Sequence, residues 1–344
     1  MHSLMLYQLL RAILFQLDDE TSHHLGMNGI KWAHKLKLLS LIYPPQAATP
    51  VEVMGLTFPN KVGMAAGLDK NGDYLPALSA LGFGFVEIGT VTPRPQPGNP
   101  KPRLFRLQEA NAIINRMGFN NLGVDHLLEQ VKSAQVDALV GINIGKNIDT
   151  PVENALDDYL IGLEKVYQQA DYVTINISSP NTPGLRKLQF GESLKALLGG
   201  LKEKQTALHQ QTNRYVPMAV KVAPDLELAE VQELAETFAE FEIDGVIATN
   251  TTMARDKVTG LPHAEEAGGL SGEPVFEQST EVVRQFKQAL PEHMPIIAAG
   301  GIMSGQDAMA KLAAGASLVQ IYSGFIYEGP ELIADIINAI EQNN

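Results

Sequence analysis

Two short runs, Ile296-Ile297-Ala298-Ala299-Gly300-Gly301 and Leu318-Val319-Gln320-Ile321-Tyr322-Ser323-Gly324, bracket a segment, Gln306–Ala314, whose apolar residues recur at helical spacing. Each run is almost wholly apolar and ends in glycine, as a strand does when it is covered on both faces and then turns into a helix. Read outward from this unit, the pattern repeats. Val62–Ala66, Phe85–Gly89, Val140–Gly145, Tyr172–Ser178, Met218–Val222 and Gly245–Asn250 have the same character, and stretches such as Leu226–Phe241 and Val275–Leu290 show 3.6-residue spacing. Eight strand–helix units after about residue 50 predict an α/β fold, a closed (β/α)₈ TIM barrel more than an open sheet.

The chain has 344 residues, 45% hydrophobic and 19% charged, enough to bury a full core. A barrel takes about 250 residues, which leaves room for an appendage. Net charge is −13, which opposes nucleic-acid binding through phosphate neutralisation. The absence of cysteine excludes disulfides, thiolate metal sites and a cysteine nucleophile. The eight histidines lack ligand spacing, so no metal site is expected.

Residues 1–45 read differently, as two short helices with a turn near Gly26–Gly29. Apolar Leu4, Met5, Leu9, Ile13, Leu14 and Leu17 mark the first, and the second spans about Ile30–Ile42 before Pro44-Pro45 stops it. Gln8, Arg11 and Gln16 interrupt the most apolar run, Leu4 to Leu17, so no membrane span is expected, and without a basic leader or a small-residue cleavage site no signal peptide is expected either. This segment carries a net +1, so the remainder holds −14.

Barrel active sites lie at the C-terminal ends of the strands. There the strands deliver Ala66-Gly67 with Lys70, then Thr90, Asn143, Asn176 with Ser179 and Asn181, Lys221, Thr249-Asn250-Thr251, Gly300-Gly301, and Tyr322-Ser323-Gly324. Polar residues concentrated on one rim fit a ligand rich in hydrogen-bonding edges. Gly272, Gly300, Gly301, Ser323 and Gly324 are phosphate-side candidates, although each glycine singly could be only a tight turn. Lys221, within an apolar strand, could be a structural ion pair, a Schiff-base nucleophile or a cation beside an electron-rich cofactor. Lys70 alone would pass for a solvated loop lysine. Ser179 alone is ordinary turn chemistry; as a base it would need a relay such as Thr182 in a closed site, under a lid formed by the loop from Ser179 to about Phe190.

Ala65-Ala66-Gly67-Leu68-Asp69-Lys70, Asn115-Arg116-Met117-Gly118-Phe119-Asn120, Asn176-Ile177-Ser178-Ser179-Pro180-Asn181-Thr182-Pro183-Gly184, Thr249-Asn250-Thr251-Thr252 and Val319-Gln320-Ile321-Tyr322-Ser323-Gly324 together resemble the dihydroorotate dehydrogenases. The serine at 179, the lack of cysteine and the N-terminal helices resemble the membrane-associated, quinone-reducing class 2. The resemblance implies FMN, dihydroorotate as donor, orotate as product and a membrane quinone as final acceptor, in de novo pyrimidine (UMP) synthesis.

It also implies Ser179 as the base at C5, with hydride passing from C6 to the flavin. Lys70, Asn115, Met117, Gly118, Phe119, Asn176, Asn181, Asn250 and Thr251 would then surround the substrate. Ala66, Gly67, Thr90, Asn143, Asn176, Lys221, Thr249, Gly272, Gly301, Tyr322 and Ser323 would bind FMN, which selects the cofactor role for Lys221. His23, Arg106 and Tyr322 would flank the quinone, His24 being the alternative to His23 if the helix were rotated. Residues 1–45 would be the membrane and quinone-access segment and 46–344 the catalytic barrel, a monomer held peripherally on the cytoplasmic face of a bacterial inner membrane.

Three other readings compete. An RNA-modifying flavin barrel would need a basic surface and usually a cysteine. A barrel aldolase would use Lys221 covalently. A lipid-binding protein working through residues 1–45 would leave the polar rim without purpose.

Overall fold

The computed structural model describes residues 2–43 and 49–343, with side chains from Leu6 onward. Eight parallel strands close a barrel in chain order: β1 Val62–Met64, β2 Phe85–Val91, β3 Leu139–Ile144, β4 Tyr172–Asn176, β5 Met218–Val222, β6 Gly245–Ala248, β7 Ile296–Ala299 and β8 Leu318–Ile321. The expected strand starts hold to within one residue. The ends fall short of the expected ones in most strands, because the final residues leave the ladder to form the rim.

Helices Leu228–Glu240, Phe276–Ala289 and Gly305–Ala313 lie where 3.6-residue spacing places them. Glu227 and Glu230 close a reciprocal box at the start of the first, and the Ser304 side chain accepts from the Asp307 amide at the start of the last.

A hairpin, Val51–Val53 with Leu56–Phe58, plugs the N-terminal mouth. Phe58 meets Phe85 edge-on at 5.2 Å, beside the buried Tyr172. Gly141 makes this layer possible, since a Cβ there would lie 2.2 Å from the Tyr172 ring. At the opposite mouth, Leu104–Leu107, Ala112–Asn115 and Gly269–Gly272 form a small antiparallel sheet.

The N-terminal segment departs from expectation. Helix α1 spans His2–Leu14, and α2 runs unbroken from Asp19 to Lys35, through Gly26 and Gly29. The turn therefore lies at 15–18, not at the glycines. Asp18 caps α2 by accepting from the Thr21 amide at 2.9 Å, Asp19 and Glu20 occupy its positive end, and His34 and Lys35 its negative end. These end effects, together with the packing of α2 through buried Glu20, Ser22 and Met27, offset the glycine penalty of about 1 kcal/mol per residue. The second expected helix, Ile30–Ile42, is in fact broken after Lys35 and resumes as α3, Leu39–Ile42. Pro44 and Pro45 lie outside the described residues.

Candidate functional site

A cavity of about 140 Å³ sits at the C-terminal mouth of the barrel. It brings together residues from every strand exit except that of β3. Asn143 of β3, a cofactor candidate, instead lies fully buried beneath the floor and accepts from the Thr90 hydroxyl at 2.6 Å. All the other expected substrate and cofactor residues line the cavity.

One side carries amides. Asn181 Nδ2 donates to the Asn115 carbonyl at 3.0 Å, and Asn250 Nδ2 donates to Ser178 Oγ at 3.0 Å. Asn176 Nδ2 donates to Thr90 Oγ1 at 2.9 Å, across two strands. Lys70 reaches the same space, its Nζ donating to the Gly67 carbonyl at 2.8 Å. Burial pushes the Lys70 ammonium down to about 8; the Arg103 charge adds to this and Glu20 opposes it.

Ser179 lies just beyond β4, 6% exposed, its Oγ accepting from the Asn181 amide at 3.3 Å. The loop holding it is tied down by Arg186, which donates to the carbonyls of Ser178 and Thr251, each at 3.0 Å, and pairs with Asp225 at 2.8 Å. Thr182 is buried in the same loop. A hydroxyl in a closed, amide-rich pocket can act on a C–H bond next to a carbonyl only if its own proton has somewhere to go.

The opposite side is small. Gly272, Gly300 and Gly301 all take positive φ, and a Cβ on Gly301 would lie 2.4 Å from Phe276 Cα. Backbone thus comes close to the cavity, as an anion cradle requires. Lys221 enters from β5, 6% exposed, and its Nζ makes no hydrogen bond or ion pair among the described residues. Burial lowers its pKa, and the Glu87 charge opposes that.

Sequence reasoning missed Ser271, which accepts from Ser323 Oγ at 2.9 Å, and Gln320, whose Oε1 is buried without a partner. It also missed Glu87. A lone acid in apolar Phe85–Val91 is the same signal that singled out Lys221.

A second cavity, about 400 Å³, opens between α1, α2 and the barrel. Leu6, Leu10, Ile13, Leu14, Met27 and Ile30 make its walls apolar, and His23, Arg106 and Tyr322 are among its polar lining. His23 faces inward while His24 is exposed. Burial, with the Lys70 and His24 charges adding to it, pushes the His23 imidazole down to about 3, so it is neutral near pH 7. Arg106 is already engaged, pairing with Asp19 and donating to the Leu17 carbonyl at 2.6 Å. Tyr322 lines both cavities and forms part of the wall between them.

Residues 49–343 match the family model described as Dihydroorotate dehydrogenase. The chain is 60% identical over 335 residues to a Pseudomonas aeruginosa (strain UCBPP-PA14) protein named Dihydroorotate dehydrogenase (quinone), covering 97% of this chain and 98% of that one. It is 60% identical over 329 residues to a protein of the same name from Cellvibrio japonicus (strain Ueda107), covering 96% of each. Among solved structures it resembles that of DHODH in complex with ferulenol from Eimeria tenella, with a TM-score of 0.85 and 36% identity over 95% of this chain and 91% of that one.

Proposed function

This chain belongs to the dihydroorotate dehydrogenase family, and from that premise we propose that it oxidises (S)-dihydroorotate to orotate for pyrimidine synthesis and passes the two electrons to a quinone. The observation that carries this reading is the pair of cavities sharing Tyr322: one lined by amides and lysines, the other apolar and reached between two helices. A small charged ring suits the first and a greasy acceptor the second.

We place FMN in the rim cavity. Its phosphate would meet the backbone of Gly272 and Gly301 and the Ser323 hydroxyl, and its ring Ala66, Gly67, Thr90, Asn176, Thr249 and Tyr322, with Asn143 acting from below through Thr90. Two buried groups support the fit: unpaired Lys221 suits an electron-rich ring edge, and the free Gln320 Oε1 suits an N–H donor. Bound there, FMN supplies a hydride acceptor and a conduit to quinone.

The chain's own residues do the rest. Lys70 holds the substrate carboxylate, and Asn115, Asn176, Asn181, Asn250 and Thr251 bind the amide edges of the ring. Met117, Gly118 and Phe119 close beside them. Ser179 Oγ takes the C5 proton and hands its own proton on, with Thr182 as the relay. Burial of Ser179 and Thr182 favours this transfer. His23, neutral, faces the quinone with Tyr322 and Arg106.

We assign residues 1–45 to quinone access and membrane contact and 46–344 to catalysis by a monomer. No described helix is long and apolar enough to cross a membrane. Leu9, Ile13, Trp32, Leu36 and Leu41 are nevertheless 58–80% exposed on the N-terminal segment. Such a surface fits peripheral attachment, here to the cytoplasmic face of a bacterial inner membrane.

The test is an anaerobic absorbance spectrum before and after dihydroorotate. A flavin band that bleaches and then returns with a soluble quinone, but not with NAD or fumarate, is the expected result. A flavin band that dihydroorotate leaves unchanged would overturn the substrate assignment.

A further inference from the structure

Beneath the pocket floor a single carboxylate points into the barrel. Glu87 of β2 is fully buried. Its Oε1 accepts from Asn143 Nδ2 at 2.8 Å; its Oε2 accepts from Gln320 Nε2 at 2.8 Å and from the Tyr172 hydroxyl at 2.9 Å.

An ionised carboxylate only accepts, so all three partners must turn a hydrogen toward it. Asn143 Oδ1 then faces the other way and accepts from the Thr90 hydroxyl at 2.6 Å. With its one hydrogen committed, Thr90 Oγ1 accepts from Asn176 Nδ2 at 2.9 Å. Asn176 Oδ1 in turn accepts from Ser178 Oγ at 3.3 Å and from Asn250 Nδ2 at 3.4 Å. Amides can flip and hydroxyls can rotate, but the carboxylate cannot reverse its role, so it sets the sense of the whole run. Glu87 is also the charged group acting on Lys221, whose Nζ has no hydrogen-bond or ion-pair partner among the described residues.

We propose that Glu87 is a positioning residue for dihydroorotate oxidation: it fixes which edges Thr90, Asn176 and Asn250 turn to the pocket, and its charge offsets that of Lys221, the cation assigned to the ring edge of a bound flavin. The inference rests on the flavin placement above. Without the Glu87 charge, the cation favours the electron-rich, reduced form of the cofactor.

The experiment is a dye-linked potential titration of the FMN-loaded protein, with FMN retention followed by fluorescence on dilution. In Glu87→Gln the preference for reduced over oxidised flavin should rise about tenfold, or about 30 mV upward for a two-electron couple. FMN retention should weaken. Glu87→Asp keeps the charge but shortens the reach, so it should weaken FMN retention at an unshifted potential. Tyr172→Phe, which loses a hydrogen bond to the same carboxylate but neither the charge nor the branch to Asn143, should lower the Tm and leave both readouts near wild type.

A wild-type potential in Glu87→Gln, or an equal shift in Tyr172→Phe, would overturn the proposal. If Glu87→Gln does not fold, a potential shift in Glu87→Asp does so alone. Wild-type protein that takes up no FMN would instead remove the flavin reading on which the inference stands.

Discussion

Glu20 of α2 and Arg103 of the barrel form a two-point ion pair, at 2.8 and 3.2 Å, with both side chains less than one-tenth exposed. Arg103 also donates to the carbonyls of Pro97 and Asn99 at 2.6 and 2.9 Å. Asn99 Nδ2 continues to the Arg116 carbonyl at 2.9 Å. The N-terminal helices are thus wired to the loops beside the substrate pocket, and not merely laid on the barrel.

Glu20→Gln leaves the Arg103 charge without its partner, and breaking a buried pair costs about 3 kcal/mol. Trp32, the single tryptophan, sits on α2, so its fluorescence follows the state of that helix. Its fluorescence should change at lower urea in the variant. Burial pushes the Glu20 carboxyl up, but Arg103 and Lys101 together outweigh it and the net pKa is lowered. A depressed carboxyl contributes stability above its unfolded pKa of about 4.3 and loses it as pH falls through the folded value. In wild type the Trp32 signal should therefore show undocking only below about pH 4.

Ser179→Ala should retain full flavin content and lose about 10²- to 10⁴-fold in dihydroorotate turnover. Stopped-flow bleaching of the flavin band measures this step free of quinone exchange. Near wild-type bleaching would sink the base assignment.

The proposed Lys70–carboxylate contact needs a protonated amine, and burial pushes that group down to about 8. KM for dihydroorotate should be flat below that pH and climb about tenfold per pH unit above it. Lys70→Met should raise KM at neutral pH and abolish the alkaline limb. An unchanged limb in the variant would assign it to another group.

Deleting residues 1–45 removes much of the wall of the apolar cavity. Reoxidation by quinone should slow roughly tenfold or more, because the cleft proposed to bury the acceptor is lost. Reduction by dihydroorotate should survive, because the amide-lined pocket is built from barrel residues. Quinone kinetics equal to wild type would refute the access role.

The barrel was legible because each strand is a short apolar run, and burial on both faces leaves little freedom of composition. The rim was legible because Lys221, Asn176 and Asn250 interrupt that apolar pattern where the strands end. What escaped was carried by weaker signals. The plugging hairpin has three-residue strands separated by Met54-Gly55, too short for an alternation to register. Gly26 and Gly29 read as a turn, but the capping and end charges of α2 hold them in a helix. Glu87 interrupts its strand as plainly as Lys221 does; what escaped was its set of partners, because only barrel closure brings Asn143, Tyr172 and Gln320 together on it.

The wall that Tyr322 shares has a pharmacological consequence. With the two cavities assigned as proposed, an inhibitor lodged in the apolar room would compete with the quinone and leave the dihydroorotate site free, so the flavin would still bleach on mixing but recover slowly. A compound in the amide room must instead mimic a small anionic ring and would block bleaching itself. The two kinds of inhibitor can be told apart from a single kinetic trace, by whether the yellow colour fails to leave or fails to return.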